Sequence, residues 1–156
     1  MTETASETIA EWKRYPRVKY SNVGWLGEVP EHWHLLKLKF AVSFYGGGTP
    51  AKENLDYWNG EIPWVSPKDM KSENIEDTED HITEIAVKSS ATRVVPTGSV
   101  LLVVRSGILR HSIPVAINLR PLAINQDMKA LVPTKSLAAS FLKYFFIGNQ
   151  ESLLVE

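Results

Sequence analysis

The sequence contains no cysteine, and this absence excludes two kinds of site. Without cysteine, neither a disulfide framework nor a thiolate metal site can form. His32 and His34 have the spacing of a ligand pair, but two histidines without a third ligand nearby are more often surface residues than a zinc site. We therefore expect no metal in this chain.

Long apolar runs are also missing. The longest strongly apolar stretch covers residues 100–104, which is far too short to cross a bilayer. Residues 1–10 alternate Thr, Glu and Ser and lack the basic segment followed by an apolar stretch that marks a signal peptide. From these observations we expect a cytoplasmic protein without a membrane partner, and a length of 156 residues suits one domain.

The signatures of catalysis and nucleotide binding are absent as well. The glycines at 46–48 precede neither the Gly-Lys-Ser/Thr of a P-loop nor the spacing of a dinucleotide site. No Pro-Pro-aromatic signature of an adenine methyltransferase occurs, and no serine has the flanking residues of a nucleophile elbow. Asp69, Met70 and Lys71 match half of a metal-dependent nuclease site, but such triplets arise by chance. We predict that the chain is not an enzyme, with a nuclease as the least favoured alternative.

An excess of charge of either sign is lacking overall, because the net charge is −1, but the charges are unevenly distributed. Residues 73–84 contain six acids and neither Lys nor Arg. Residues 85–150 contain eight Lys or Arg and a single acid, Asp127. A basic face on a nearly neutral protein is what phosphate contacts require, although ordinary solvated charges are the alternative interpretation.

The apolar pattern predicts several strands. Alternation from Leu36 to Phe44 indicates a half-buried strand, with a short helix as the alternative. Pro63 interrupts an apolar piece and restricts it to an edge strand or an extended loop. Further strands are predicted at 99–105, 113–117 and 128–132, the first of them after a turn at 96–98.

Two helices complete the predicted elements. A short one is capped by Thr83, and a last one is capped by Ser136. The apolar face of the last helix would consist of Leu137, Ala138, Phe141, Leu142, Tyr144 and Phe145. Because regular βαβ alternation is missing, we predict an α/β (α+β) fold with a mixed, largely antiparallel sheet and peripheral helices.

A set of short segments is more specific than any single motif. The segments are GWLGEVPEHW at 24–33, GGTP at 47–50, YWNGEIPWV at 57–65, VPTGSVL at 95–101, INQ at 124–126 and LVP at 131–133. Together they resemble the target recognition domain of type I restriction-modification specificity subunits. The resemblance implies one target recognition domain over residues 20–156, preceded by a tail or short helix at residues 1–19.

The same resemblance implies a function. A full subunit of that family has two such domains separated by long helices, and each reads one half of a split target in double-stranded DNA. We therefore expect a half-site reader without a cofactor of its own. Its partners would be a methylation subunit that binds S-adenosylmethionine and a restriction subunit that uses ATP. Since the sequence ends before the spacer helix of the family, the alternative is a truncated fragment that binds partner subunits without useful DNA reading.

Three loops supply side chains that suit this task. Arg or Lys can pair with guanine, and Asn or Gln with adenine. The predicted DNA-binding residues are Lys68, Lys71, Arg105, Ser106, Arg110, His111, Asn125 and Gln126. Those at 105–111 would form one reading loop, and the two lysines would flank it on phosphates. For Asn125 and Gln126, hydrogen bonding to backbone is an equal alternative, and Arg105, at the end of a strand, could instead pair with a buried acid. Trp58 and Trp64 are better explained as core or lid aromatics than as stacking platforms.

Overall fold

The computed structural model describes residues 13–154, in two units that divide after Leu35. In the first unit, strands β1 (Val18–Tyr20) and β2 (Glu28–Pro30) form an antiparallel pair. The Tyr15 ring lies 5.5 Å from the His32 ring and 6.1 Å from Trp33, measured between centroids. Aromatic contacts therefore connect the two ends of this short segment. Residues 1–12 of the predicted tail lie outside the described residues.

The second unit contains most of the regular structure. Its elements are β3 (Val42–Gly46), β4 (Trp58–Val65), β5 (Asn74–Ile75), β6 (His81–Ile82), α1 (Glu84–Ser89), β7 (Val94–Val95), β8 (Val100–Val103), β9 (Val115–Asn118), β10 (Leu122–Ile124), β11 (Met128–Pro133), α2 (Ala139–Gly148) and α3 (Gln150–Leu154). None of the helices in the described part of the chain is long and apolar enough to span a membrane.

These strands form two sheets. One has the order β3-β11-β8-β9-β5, and the other has the order β6-β4-β10-β7. The pairs β5–β9 and β4–β10 are parallel, and the other neighbours are antiparallel. The prediction of a mixed, largely antiparallel sheet with peripheral helices is confirmed.

The hydrophobic core is centred on strand β8, in which all four residues are buried. Successive side chains of a strand point to opposite faces. Leu101 and Val103 accordingly pack in a cluster with residues of the four-stranded sheet, such as Leu122. Val100 and Leu102 pack in another cluster that includes Leu142 of α2. The five-stranded sheet is thus covered on one face by α2 and on the other by the second sheet.

Two predictions about strands need correction. The strand predicted from Leu36 begins only at Val42, because residues 38–40 form a short 3₁₀ helix, in agreement with the alternative prediction for this part of the segment. In that helix Phe40 N–H donates to Lys37 O, so the backbone bonds locally instead of joining a ladder. The second correction concerns Pro63, which lies in an internal strand and not at an edge. The pairing of β4 with β10 starts one residue later, at Trp64, so the missing N–H of Pro63 costs no hydrogen bond between these two strands.

The two predicted helix caps had different outcomes. Thr83 is confirmed, since its side chain accepts a hydrogen bond from Ala86 N–H at 3.2 Å. The prediction for Ser136 is wrong: α2 begins later, after Ala138, and Ser136 Oγ instead lies 3.0 Å from Thr134 Oγ1. The predicted apolar face is also shifted, because the buried residues of α2 are Leu142, Lys143 and Phe146.

Candidate nucleic-acid interface

A cleft of about 420 Å³ opens where loops of the second unit meet. Strands β4 and β10 are parallel neighbours, so the loop after Val65 and the turn after Ile124 lie side by side at one edge of the sheet. The cleft is lined by Thr49, Lys52, Trp64, Ser66, Lys68, Asp80, Asn125, Gln126 and Asp127. Three of the predicted DNA-binding residues, Lys68, Asn125 and Gln126, are therefore brought together.

Asn125 shapes the turn at the cleft wall. Its side chain is buried, its Oδ1 accepts from Asp127 N–H at 3.0 Å, and its Nδ2 donates to Asp127 Oδ2 at 3.3 Å. A side chain that bonds to the backbone two residues onward is the usual device by which Asn closes a turn. The backbone N–H of Asn125 also donates to Val65 O at 2.9 Å. Asn125 thus fixes the position of the residues that follow it.

Arg105 joins the cleft through Asp127. The backbone N–H groups of Val104 and Arg105 both donate to Asp127 O, at 2.9 and 3.2 Å. The Arg105 Nε donates to Asp127 Oδ1 at 2.7 Å, while 70% of the arginine side chain remains exposed. Among the described residues the two terminal nitrogens of this guanidinium have no partner, and they carry four of its five N–H donors. Asp127 therefore holds the guanidinium group at Nε, and the two terminal nitrogens remain available for a ligand.

Lys68 is less available than its exposure suggests. Its Nζ lies 2.9 Å from Asp80 Oδ2 and 3.4 Å from Glu79 Oε2. The hydrogen bond to Asp80 is the main cause that raises the pKa of Lys68 above its ordinary value, with a smaller contribution from Glu79. The lysine stays charged, but two carboxylates offset its positive field. Lys71 is exposed, and in the described part of the chain its side chain has no partner.

Gln126 and two tryptophans contact the segment that carries Gly48, Thr49 and Ala51. The hydroxyl of Thr49 donates to Gln126 Oε1, which leaves the two N–H donors of that amide unused within the described residues. Trp64 is buried and donates through its indole nitrogen to Gly48 O at 3.0 Å. Trp58 donates to Ala51 O at 3.1 Å. Both tryptophans brace the segment that carries Thr49, which agrees with their interpretation as core or lid residues.

The segment after Arg105 is exposed. Residues 107–110 form a 3₁₀ turn, and Ser106 caps it by accepting a hydrogen bond from Ile108 N–H at 3.4 Å. Arg110 and His111 lie at the end of this turn with exposed side chains. Neither of them lines the cleft, and neither do Ser106 and Lys71. Arg105 does not line the cleft either, but it is bonded to the cleft residue Asp127 and stands just before the exposed turn. The structure thus gathers most of the predicted residues into a cleft group and an adjacent exposed turn, and Lys71 belongs to neither.

The nuclease alternative gains nothing from the structure. The carboxylate of Asp69 accepts hydrogen bonds from both the backbone N–H and the hydroxyl of Ser66, at 2.8 and 2.9 Å, and so closes a capping box. Within residues 13–154 no group of three or more His, Asp or Glu could hold a metal ion.

Sequence reasoning missed Asp127, although a signal was present. It is the single acid between residues 85 and 150, and it stands two positions after an asparagine, which is the spacing of an Asn-closed turn. Lys52 and Thr49 were missed as well, because only the folded chain brings them opposite Gln126.

Comparisons with known proteins agree on one family. Residues 30–156 match the family model described as the type I restriction modification DNA specificity domain. The chain is 44% identical over 110 residues to the specificity subunit of the type I restriction enzyme EcoR124I/EcoR124II of Escherichia coli, covering 70% of this chain and 27% of that protein. It is 36% identical over 124 residues to the type I restriction enzyme MjaIX specificity subunit of Methanocaldococcus jannaschii, covering 78% and 28%. The chain thus spans little more than a quarter of the length of these relatives.

Solved structures show the same fold. The HsdS subunit of Thermoanaerobacter tengcongensis matches with a TM-score of 0.64 and 18% identity, over 87% of this chain and 31% of that one. A chain from a structural study of assembly and conformational transition of the type I R-M system matches with a TM-score of 0.64 and 18% identity, over 80% and 30%.

Proposed function

The chain belongs to the family of type I restriction modification DNA specificity domains, and from this premise we propose that it reads one half of a split target sequence in double-stranded DNA. The observation that carries the proposal is the exposed end of Arg105 beside the cleft that holds Gln126. Arginine and glutamine are residue types that discriminate bases by paired hydrogen bonds in the major groove. Both stand on short, internally bonded turns, which suits groups that must meet base edges at fixed positions.

The roles of the predicted residues follow from their contacts. Arg105 and Gln126 contact bases, and Asn125 shapes the turn between them from its buried position. Arg110 and His111 extend the base contacts along the exposed turn after Ser106. Lys71 contacts phosphate, since no carboxylate competes for it among the described residues. Lys68 contributes a weaker phosphate contact because Asp80 and Glu79 already pair with it.

The chemistry of the system would belong to partners. We propose that this chain is non-catalytic and binds no cofactor, and that it directs a methylation subunit, which holds S-adenosylmethionine, and a restriction subunit, which uses ATP. The match of residues 30–156 to a DNA specificity domain supports a reading role for this part of the chain. The place of action is the cytoplasm, where bacteria and archaea, the sources of these relatives, keep their DNA.

Selection from a randomised duplex pool tests the proposal. The 156-residue chain is incubated with the pool at moderate salt, and the bound fraction is sequenced. We expect enrichment of one short contiguous sequence by wild type and by Lys88→Ala, a control that removes an exposed cation paired with Glu84 on α1. The double variant Arg105→Ala, Gln126→Ala should lose most of the enrichment. No enrichment by wild type, together with stable binding to a methylation subunit, would instead support a fragment that only binds partners.

A further inference from the structure

We propose that Arg105 reads a guanine through its O6 and N7 acceptors, and that Asp127 is the positioning residue that commits Arg105 to this base. The inference rests on the function proposed above and adds the identity of one base and the residue that selects it. It starts from the connected hydrogen bonds of Asn125, Asp127 and Arg105 at the edge of the cleft.

Every polar group of Asp127 is engaged. Its N–H donates to Asn125 Oδ1, and its carbonyl accepts from the N–H groups of Val104 and Arg105. One carboxylate oxygen accepts from Asn125 Nδ2 at 3.3 Å, and the other accepts from Arg105 Nε at 2.7 Å. The carboxylate is also only 27% exposed. It is therefore a fixed anchor and not a mobile surface acid.

The anchor determines which end of the guanidinium is offered. A contact at Nε holds the plane of the group from its side, and the two terminal nitrogens remain at the exposed end. Those nitrogens form the rigid fork that matches the two acceptors of guanine. Because Asp127 fixes the fork before DNA arrives, less conformational freedom is lost on binding.

The same anchor argues against a phosphate as the ligand. The Arg105–Asp127 pair is neutral as a whole, so it would neutralise little phosphate charge and release few of the counterions that are condensed on the DNA. A phosphate brought to Arg105 would also approach the carboxylate of Asp127 and be repelled. Guanine presents neutral acceptors and meets no such penalty. Lys71 has no carboxylate partner in the described part of the chain, and its uncompensated positive charge is better suited to a phosphate contact than the paired Arg105.

The test combines variants of the chain with modified DNA. Each guanine of the enriched duplex is replaced in turn by 7-deazaguanine, which lacks the N7 acceptor. For wild type we expect one guanine at which this replacement weakens binding on the order of tenfold, the effect of losing one hydrogen bond from a charged donor. Arg105→Lys keeps the charge but lacks the fork, and Asp127→Asn weakens the anchor. Both variants should lose the sensitivity at that guanine alone, while the preference at other positions and the salt dependence stay as in wild type.

Controls separate this inference from the proposed function. Glu84→Gln removes the carboxylate of another exposed ion pair and should behave as wild type. Thermal unfolding checks that Asp127→Asn is folded. If it is not, Asn125→Ala, which removes the second support of the Asp127 carboxylate, tests the anchor instead. A folded variant with a weakened anchor that keeps full sensitivity at that guanine would overturn the role of Asp127. If wild type selects a sequence but Arg105→Lys retains full sensitivity to 7-deazaguanine, or weakens all duplexes equally, the inference is overturned and the proposed function stands. If wild type selects no sequence, the proposed function itself fails.

Discussion

Lys143 Nζ donates a 2.6 Å hydrogen bond to Glu73 Oε2, and the two partners differ sharply in exposure: 7% for the lysine side chain and 57% for the glutamate. The bond ties α2 to the segment before the edge strand β5. It is also the main cause that raises the pKa of Lys143 above its ordinary value. A buried ammonium group on the covered face of α2 therefore depends on one exposed carboxylate.

This asymmetry predicts unequal effects of removing either partner. Glu73→Ala leaves a buried ammonium group without its acceptor and should lower the free energy of unfolding by about 1–3 kcal/mol. Lys143→Met leaves a carboxylate that water can solvate and should cost about 1 kcal/mol or less. Urea denaturation of both variants measures the difference. Equal losses would show that the difference in burial between the two partners does not determine the cost of removing them.

The pH dependence of the same pair has a definite sign. Because the pKa of Lys143 is raised in the folded state, its contribution is fully present below the ordinary lysine value of 10.5 and is lost as the pH rises through the higher folded value. The stability difference between wild type and Glu73→Ala should therefore be constant near neutral pH and shrink only above 10.5. A difference that already disappears on going from neutral pH to moderately alkaline pH would contradict this assignment.

Gly47 allows the backbone after β3 to approach the turn of the cleft. A Cβ atom at this position would lie 2.1 Å from Ile124 O and 2.2 Å from Asn125 O, so Gly47→Ala must displace backbone. We expect a loss of about 1–3 kcal/mol in unfolding free energy, as for other overpacked sites. Gly148→Ala is the matched control, since a Cβ there meets nothing within 4 Å. Thermal denaturation should show a clear loss for the first variant and none for the second.

Several strands and the mixed character of the sheet were readable from the sequence, and the errors have physical causes. The period of α2 was right, but its phase was shifted by one residue, because aromatic residues such as Tyr144 were predicted to form its apolar face. The side chain of Tyr144 is instead 60% exposed, and its ring lies 4.5 Å from the Lys143 Nζ. A local pattern cannot reveal that an acid 70 residues away provides the partner of a buried lysine.

In the candidate site, too, local sequence patterns did not reveal contacts between residues that are distant in sequence. The loops and most of their polar residues were identified from residue type and from the family resemblance. The partner of Arg105 was not, because Asp127 reaches it across the pairing of β8 with β11, which is a long-range feature. Long-range pairing also decided which predicted residues line the cleft and which stand on the adjacent turn.

Arg110 and Lys71 should fail in different ways when they are changed to alanine. Arg110→Ala removes a base contact and should relax the preference at one position of the target, by about 1–3 kcal/mol. Lys71→Ala removes a phosphate contact and should weaken binding to all duplexes alike, with the salt slope reduced by about one. Equilibrium binding to matched duplexes at several salt concentrations separates the two patterns. Identical effects of both variants on every sequence would exclude a reading role for the exposed turn.

Asn125 should matter for specificity although it is buried. Asn125→Ala removes the acceptor of the Asp127 N–H and the second support of its carboxylate, and should cost about 1–2 kcal/mol of stability. We also expect the preference at the position read by Arg105 to weaken. Thr83→Ala removes the cap of α1 at a similar cost of about 1 kcal/mol, and it should leave the preference intact. Similar losses of preference in both variants would attribute the effect to stability alone.

The most direct measurement of the central claim compares two dissociation constants for wild type at moderate salt. One is for the duplex that the chain enriches from a random pool, and the other is for a scrambled duplex of the same composition. If the chain reads bases, the enriched duplex binds at least tenfold more tightly, on the order of one base contact. That ratio should persist while both affinities fall as salt is raised. A ratio of one at every salt concentration would contradict the account.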